Sequence, residues 1–222
     1  MPIIISIVNI KGGVGKSTIA INLAAAISIK KSVYLIDADP QGTICSWNQT
    51  RIKNNSMSLL HKNIQITKEP HTFDDLKNLL KKESKNYDCT IVDCPPEDTR
   101  TMRTVFVFSD FSLIPITPSP FDIRSANKTM QIIKDGLKSK AINLKPYILI
   151  SKKIAQTVLG REVRETLQVF NIPILKTEIN QRIALAEAGI YGKTIFEYSP
   201  NSQAAQEFDN LGKEVGKWEK QV

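Results

Sequence analysis

The sequence predicts an α/β protein, a mostly parallel, twisted sheet with helices on both faces. Short runs of β-branched and aliphatic residues recur along the chain. They are apolar throughout rather than alternating, as strands buried on both faces require. Stretches of helical length lie between them, and that alternation marks a parallel sheet. Glycine-rich and aspartate-ended segments fall directly after strands, where such sheets bind ligands.

The first strand is read over 3–8 (IIISIV), followed by a helix over 17–30 and a strand over 33–36 (VYLI). Residues 48–70 are polar and weakly patterned and read as an excursion or loop pair. A helix over 73–85 leads to the strand 89–92 (CTIV), and the strand 111–116 (FSLIPI) leads to a helix over 123–138. The strand 147–150 (YILI), a helix over 160–170 and a last strand 172–175 (IPIL) complete the alternation. A final helix, 202–221, sets Phe208, Leu211, Val215 and Trp218 at helical spacing, a stripe that suits docking on the core. Lys213, Lys217 and Lys220 also allow a membrane-surface reading, but Glu207, Asp209, Glu214 and Glu219 offset them, so docking is preferred.

At 222 residues, 41% hydrophobic and 23% charged, the chain fits one globular domain over 1–222. It opens with no secretory leader and holds no apolar run of the roughly 20 residues that span a bilayer, so it is expected to be soluble and cytoplasmic. Cys45, Cys89 and Cys94 are odd in number and lack paired spacing, which argues against a disulfide framework or structural zinc. Cys89 and Cys94 read as small core residues, and His61 and His71 receive no role. The net charge of +8 is concentrated: residues 124–193 hold 13 basic and 5 acidic side chains, and the rest of the chain is balanced. Such an excess points to an anionic partner, nucleic acid or anionic lipid.

The chemistry begins at 9–18, NIKGGVGKST. Gly12, Gly13, Val14, Gly15, Lys16, Ser17 and Thr18 follow a strand and open a helix, the context of a phosphate-binding loop. Glycines let backbone N–H groups turn toward phosphate oxygens, and the helix N-terminus adds partial positive charge. Lys16 then supplies a full charge to the β- and γ-phosphates, and the Ser17 hydroxyl is placed for Mg2+. The usual pattern has glycine six residues before that lysine, where this chain has Ile10. Asp37 and Asp39 end one strand (VYLIDADPQ) and Asp93 ends another (YDCTIVDCPP), the usual placing of acids that hold Mg2+.

Taken together, KGGVGKST, DADPQG and IVDCPP resemble the ParA/MinD superfamily of deviant Walker A ATPases. PITPSPFDIRSA, INQRIALAEAG and IFEYSPNSQAAQEFDNLGKEV extend the resemblance over nearly the whole chain. The short length and the PSPFD stretch look most like small ParF-like partition proteins. The resemblance implies a Mg2+-dependent ATPase that forms an ATP-bound homodimer, with higher-order assemblies open. In its terms Lys11 is the signature lysine reaching the partner's nucleotide, Asp39 positions or activates the attacking water, Asp37 lies near the metal and Asp93 is the Walker B acid. It further implies nonspecific DNA binding in the ATP state, a nucleoid-associated location and release through a ParB-type or other small DNA-binding partner. No room is expected before residue 3 for a separate DNA-reading domain. Lys152, in the loop SKKIAQT, is the candidate adenine contact, and Arg161, Arg164 and Arg182 are the candidate DNA contacts. A MinD-like membrane switch is the alternative, for which no tail beyond the last helix is expected. A cluster-bearing electron carrier is disfavoured because only Cys94 follows an acid-ended strand.

Overall fold

A computed structural model describes residues 2–54, 63–67, 72–154 and 156–218. Six strands form one sheet: β1 (Ile3–Ile7), β2 (Val33–Asp37), β3 (Ile64–Thr67), β4 (Cys89–Asp93), β5 (Phe111–Ile116) and β6 (Lys145–Ile150). Their spatial order is β3-β2-β4-β1-β5-β6, and every pairing is parallel. The central β1 is flanked by β4 on one side and β5 on the other, so the winding direction reverses there. A crevice opens at the carboxyl ends of strands at such a reversal. Register sharpens this: Ile7 pairs with Asp93 and Asp37 pairs with Asp93, so the ends of β1, β2 and β4 lie at one level.

Nine helices occur among the described residues: α1 (Lys16–Ser28), α2 (Thr43–Lys53), α3 (Phe73–Lys81), α4 (Thr99–Phe108), α5 (Pro120–Lys138), α6 (Val158–Leu167), α7 (Ile183–Ile190), α8 (Ile195–Tyr198) and α9 (Gln203–Val215). One core packs Ile3, Ile5 and Ile7 against Leu23 of α1 and Phe208 and Leu211 of α9. The other packs Val8, Ile36 and Val92 against Met102 and Phe106 of α4, Met130 of α5 and Leu167 of α6. Both faces of the sheet are therefore covered, which is why its strands read as unbroken apolar runs. The helix starts are coded locally: Thr72 and Asp75 form a capping box on α3, and Asp98, Thr157 and Ser202 cap α4, α6 and α9.

Three expectations are corrected. The strand read at 172–175 is only an isolated bridge, Ile148 with Ile174, because Pro173 brings no N–H and Asn171 before it turns with φ 53°. The region read as loops over 48–70 instead carries the end of α2 and an edge strand, β3, paired with β2. β3 is four residues long with no fully buried side chain, so it lacks the apolar run of a central strand. The last helix ends at Val215 rather than near 221, and 219–222 lie outside the described residues. Its stripe does dock: Phe208, Leu211 and Val215 are wholly buried, and Trp218 stacks on Phe111 and Tyr147. Cys89 and Cys94 are buried, whereas His61 and His71 lie outside the described residues. Among the described residues no helix is long and apolar enough to cross a membrane.

Candidate functional site

The loop between β1 and α1 wraps the reversal point. Gly13 and Gly15 adopt φ of 77° and 91°, the left-handed region that glycine enters freely, and Gly15 is the N-cap of α1. No side chain caps that helix, so its first amides are left to the loop's concavity. A Cβ on Gly12 or Gly13 would meet nothing within 4 Å, so the loop is open above both. Val14 is buried beneath, its carbonyl accepting from the Ser151 hydroxyl at 2.8 Å. Ser17 and Thr18 are half-buried at the mouth of α1. Ile10, the departure from the usual glycine, is a core residue of the second cluster. Its amide donates to the Thr129 hydroxyl and its carbonyl accepts from Glu97, which ties the loop to α5 and to the loop after β4.

Lys16 is 7% exposed and bends back, its ammonium donating to the carbonyls of Asn9 at 3.1 Å and Lys11 at 3.2 Å. Burial lowers its pKa, while Asp93, Cys94 and Asp39 pull it up. Asp93, at the end of β4, has no exposed surface, and neither carboxylate oxygen has a partner at hydrogen-bonding distance. Burial pushes it up to about 7; Ser17 close by and Lys16 partly restrain the rise, and Asp37 and Asp39 add to it. Asp37 is differently engaged. One of its oxygens accepts from the amides of Ile44 at 2.9 Å and Cys45 at 3.0 Å, so it caps α2, whose own N-cap is Gly42. Its pKa is raised by burial, and those amide bonds oppose the rise. Asp39 is 8% exposed and accepts from the Gln41 amide at 3.0 Å, a turn that aims the loop after β2.

Lys11 stands at the rim with its side chain 46% exposed, 3.4 Å from Asp122 of its own chain. Asp122 lies in the first turn of α5 and also accepts from the Thr117 hydroxyl. Lys152 has φ 51°, and its ammonium donates to the Gly13 carbonyl at 2.6 Å, latching the loop after β6 onto the glycine loop. Beside this latch opens a cavity of about 550 Å3, lined by Gly15, Thr18, Ser151, Lys152, Asn180 and Arg182 among others.

The three candidate DNA arginines do not stand together. Arg161 is exposed on α6. Arg164 is bound to Glu178 at 2.8 Å and to the Leu175 carbonyl. Arg182 lines the cavity beside the loop and is paired with Glu207 at 2.7 Å. Sequence reasoning missed Asn9, Thr129, Ser151 and Asp122. Asn9 is fully buried, bonded to the Pro115 carbonyl and to the Lys11 amide. A polar residue ending an apolar strand was the one available signal for it.

The family model for the CobQ/CobB/MinD/ParA nucleotide-binding domain matches residues 5–195. The chain belongs to this family. This ParA/MinD-type ATPase is 29% identical over 213 residues to the maintenance of carboxysome distribution protein A of Halothiobacillus neapolitanus, covering 95% of each chain. It is also 29% identical to the sporulation initiation inhibitor protein Soj of Bacillus subtilis, covering 96% of this chain and 97% of Soj. A putative plasmid partition protein of Borrelia burgdorferi bound to AMPPNP shares the fold at TM-score 0.76 and 21% identity, covering 100% of each chain. The septum site-determining protein MinD of Pyrococcus horikoshii with Mg-ADP does so at TM-score 0.74 and 20% identity, covering 99% and 98%.

The residues of this ParA/MinD chain suit a phosphate and a cation. The glycine loop offers amides, Lys16 a charge, and Asp93 two buried oxygens without partners beside Ser17. Among the described residues no group of three His, Cys, Asp or Glu side chains forms a metal cage.

Proposed function

We propose that residues 1–222 act as one DNA-partition ATPase domain: they bind ATP with Mg2+, dimerise, engage DNA nonspecifically and are released when a partner protein stimulates hydrolysis. The observation that carries this is Asp93, a fully buried acid with two unpartnered oxygens at the mouth of a glycine loop. Ser17 and Asp93 would hold the metal, whose charge stabilises the transferring phosphoryl group when it is bound. Asp37 stands behind them, one oxygen occupied in capping α2 and the other accepting from the Asp39 amide. Asp39, on a loop held by its own turn, orients the attacking water. The cavity beside Lys152 suits the base, because the buried Asn180 Oδ1 and Arg182 Nε are an acceptor and a donor without partners.

Lys11 leaves Asp122 to reach the nucleotide of a second copy. Hydrolysis then waits for dimerisation, since the extra charge on the developing phosphoryl oxygens comes from the other subunit. Lys11→Ala is expected to bind ATP yet lose about 100- to 1000-fold in turnover, and Asp39→Ala to lose turnover while still dimerising in light scattering. ATP-loaded protein is expected to retard arbitrary duplex DNA, with affinity falling steeply with salt. A Lys11→Ala turnover equal to wild type, or no DNA retardation at low salt, overturns the reading. The carboxysome-distribution relative supports a second cargo, a protein assembly carried on the same nucleoid-bound, cytoplasmic ATPase. A cargo-localisation assay in cells distinguishes the two.

A further inference from the structure

We infer that the end of the molecule opposite the glycine loop is a docking groove for an acidic, aliphatic-anchored segment of a partner protein, usable whether or not nucleotide is bound. A cavity of about 590 Å3 opens there between the end of α1 and the last turns of α9. Ile3, Ile27 and Val215 form an apolar wall that is almost wholly buried, and Ile29 stands 51% exposed at the edge. Gly212 keeps the two helices close, since a Cβ there would come within 2.8 Å of the Ala26 Cβ.

Among the described residues the charge around this wall is mostly positive. Lys30, Lys31, Lys213 and Lys217 all line the groove. Asp209 is the single carboxylate among its described lining residues, and it is paired with Lys213 at 2.5 Å. Lys31 also faces Asp88. The surplus is positive against an apolar floor. Carboxylates along the rim and aliphatic side chains in the groove complement both features at once. A duplex offers phosphates but nothing to fill an apolar cleft, and a flat lipid surface cannot reach a concave floor.

Geometry separates this groove from the nucleotide. Ile3 and Cys89 begin the strands that Ile7 and Asp93 end, a span of about 15 Å. The 13-residue α1 starts in the glycine loop and ends at the groove, about 20 Å away. A partner seated here would stay tethered through the nucleotide cycle, unlike one that binds where two nucleotide faces meet.

The test uses fluorescence anisotropy with a fluorescein-labelled peptide of repeated Leu-Glu-Glu units and its Lys-for-Glu counterpart. The acidic peptide is expected to bind the nucleotide-free, ADP and ATP states alike, within about twofold, and the basic one not to bind. Joint Lys30→Glu and Lys217→Glu, and separately Ile29→Asp, are expected to weaken binding about tenfold or more while ATP turnover stays at the wild-type rate. Failure of the acidic peptide to bind, equal binding of the basic one, or binding that appears only with ATP overturns the proposal. So does a Lys30→Glu/Lys217→Glu protein that keeps the peptide but loses duplex DNA or phosphatidylglycerol vesicles.

Discussion

Asp93 is a carboxylate in an unfavourable place. Fully buried and without a hydrogen-bond partner, it pays several kcal/mol for any charge it carries. Its rise to about 7 expresses that cost. Such strain persists where the group is kept for a ligand. We therefore expect Asp93→Asn to raise the melting temperature of the nucleotide-free protein by a few degrees. The added stability that Mg2+ brings to the ATP-bound wild type should vanish in the variant. Differential scanning fluorimetry with ATP, with and without Mg2+, reads both; a variant that melts lower when free and keeps the Mg2+ increment contradicts this account. The sequence marks Lys16, Ser17 and Asp93 because each belongs to a short local pattern. It does not mark Asn9, Thr129 or Asp122, whose roles depend on neighbours far away in the chain. Thr129 meets Ile10 across 119 positions, and Asn9 meets Pro115 across 106.

Helix α2 joins the site to the far side of the molecule, and it is held at both ends by residues outside it. Asp37 caps its N-terminus. Near its C-terminus the buried Arg51 makes two bonds to Glu197, at 2.7 and 2.8 Å, and one to the Gly192 carbonyl at 3.0 Å. Glu197 also closes the capping box of α8 with Thr194. The Ile195 amide of α8 donates to Asn22 of α1 at 2.7 Å, and Asn22 in turn donates to the Thr18 carbonyl at 2.9 Å. The loop carrying Asp39 and the helix carrying Ser17 are thus fixed in one polar circuit. None of it is legible in sequence: α2 has few buried side chains, and its partners lie about 146 positions away. Arg51→Leu strips the largely but not fully buried Glu197 of its guanidinium partner and leaves it the Thr194 bonds, so a loss of about 3 kcal/mol is expected. Adding Glu197→Leu removes the carboxylate that has lost its guanidinium, at the cost of the α8 capping box, and should recover part of the loss. A double variant no more stable than Arg51→Leu, in urea melts, would show that the pair is not coupled.

At the scale of the whole molecule the strands were legible because each is an apolar run between two covering layers. The charge map was not, because the linear excess over 124–193 includes basic residues already committed to acids. Arg182 is held by Glu207 from α9, and Lys153 and Arg164 are both held by Glu178. Glu178 therefore fastens the loop after β6 to α6 and to the segment that follows it, three pieces of the basic region. Burial alone raises its pKa, but the bonds from Lys153 and Arg164 outweigh burial, and the carboxyl sits below its ordinary value. The sign follows from that direction. A native pKa below the unfolded one stabilises the fold at pH values above the unfolded pKa. The gain disappears as pH falls through the native value, because the native state must then take up the proton it had excluded. Glu178→Gln keeps the shape and removes the charge. Its stability deficit against wild type should be full at pH 7, roughly 1–3 kcal/mol. It should shrink once pH drops below the unfolded value of about 4.3. Urea midpoints for both proteins at pH 7, 5, 4 and 3 decide the matter. A Glu178→Gln protein as stable as wild type at pH 7 means that Glu178 acts through shape rather than charge, and a deficit unchanged across that range means that it does not arise from the ionised carboxylate.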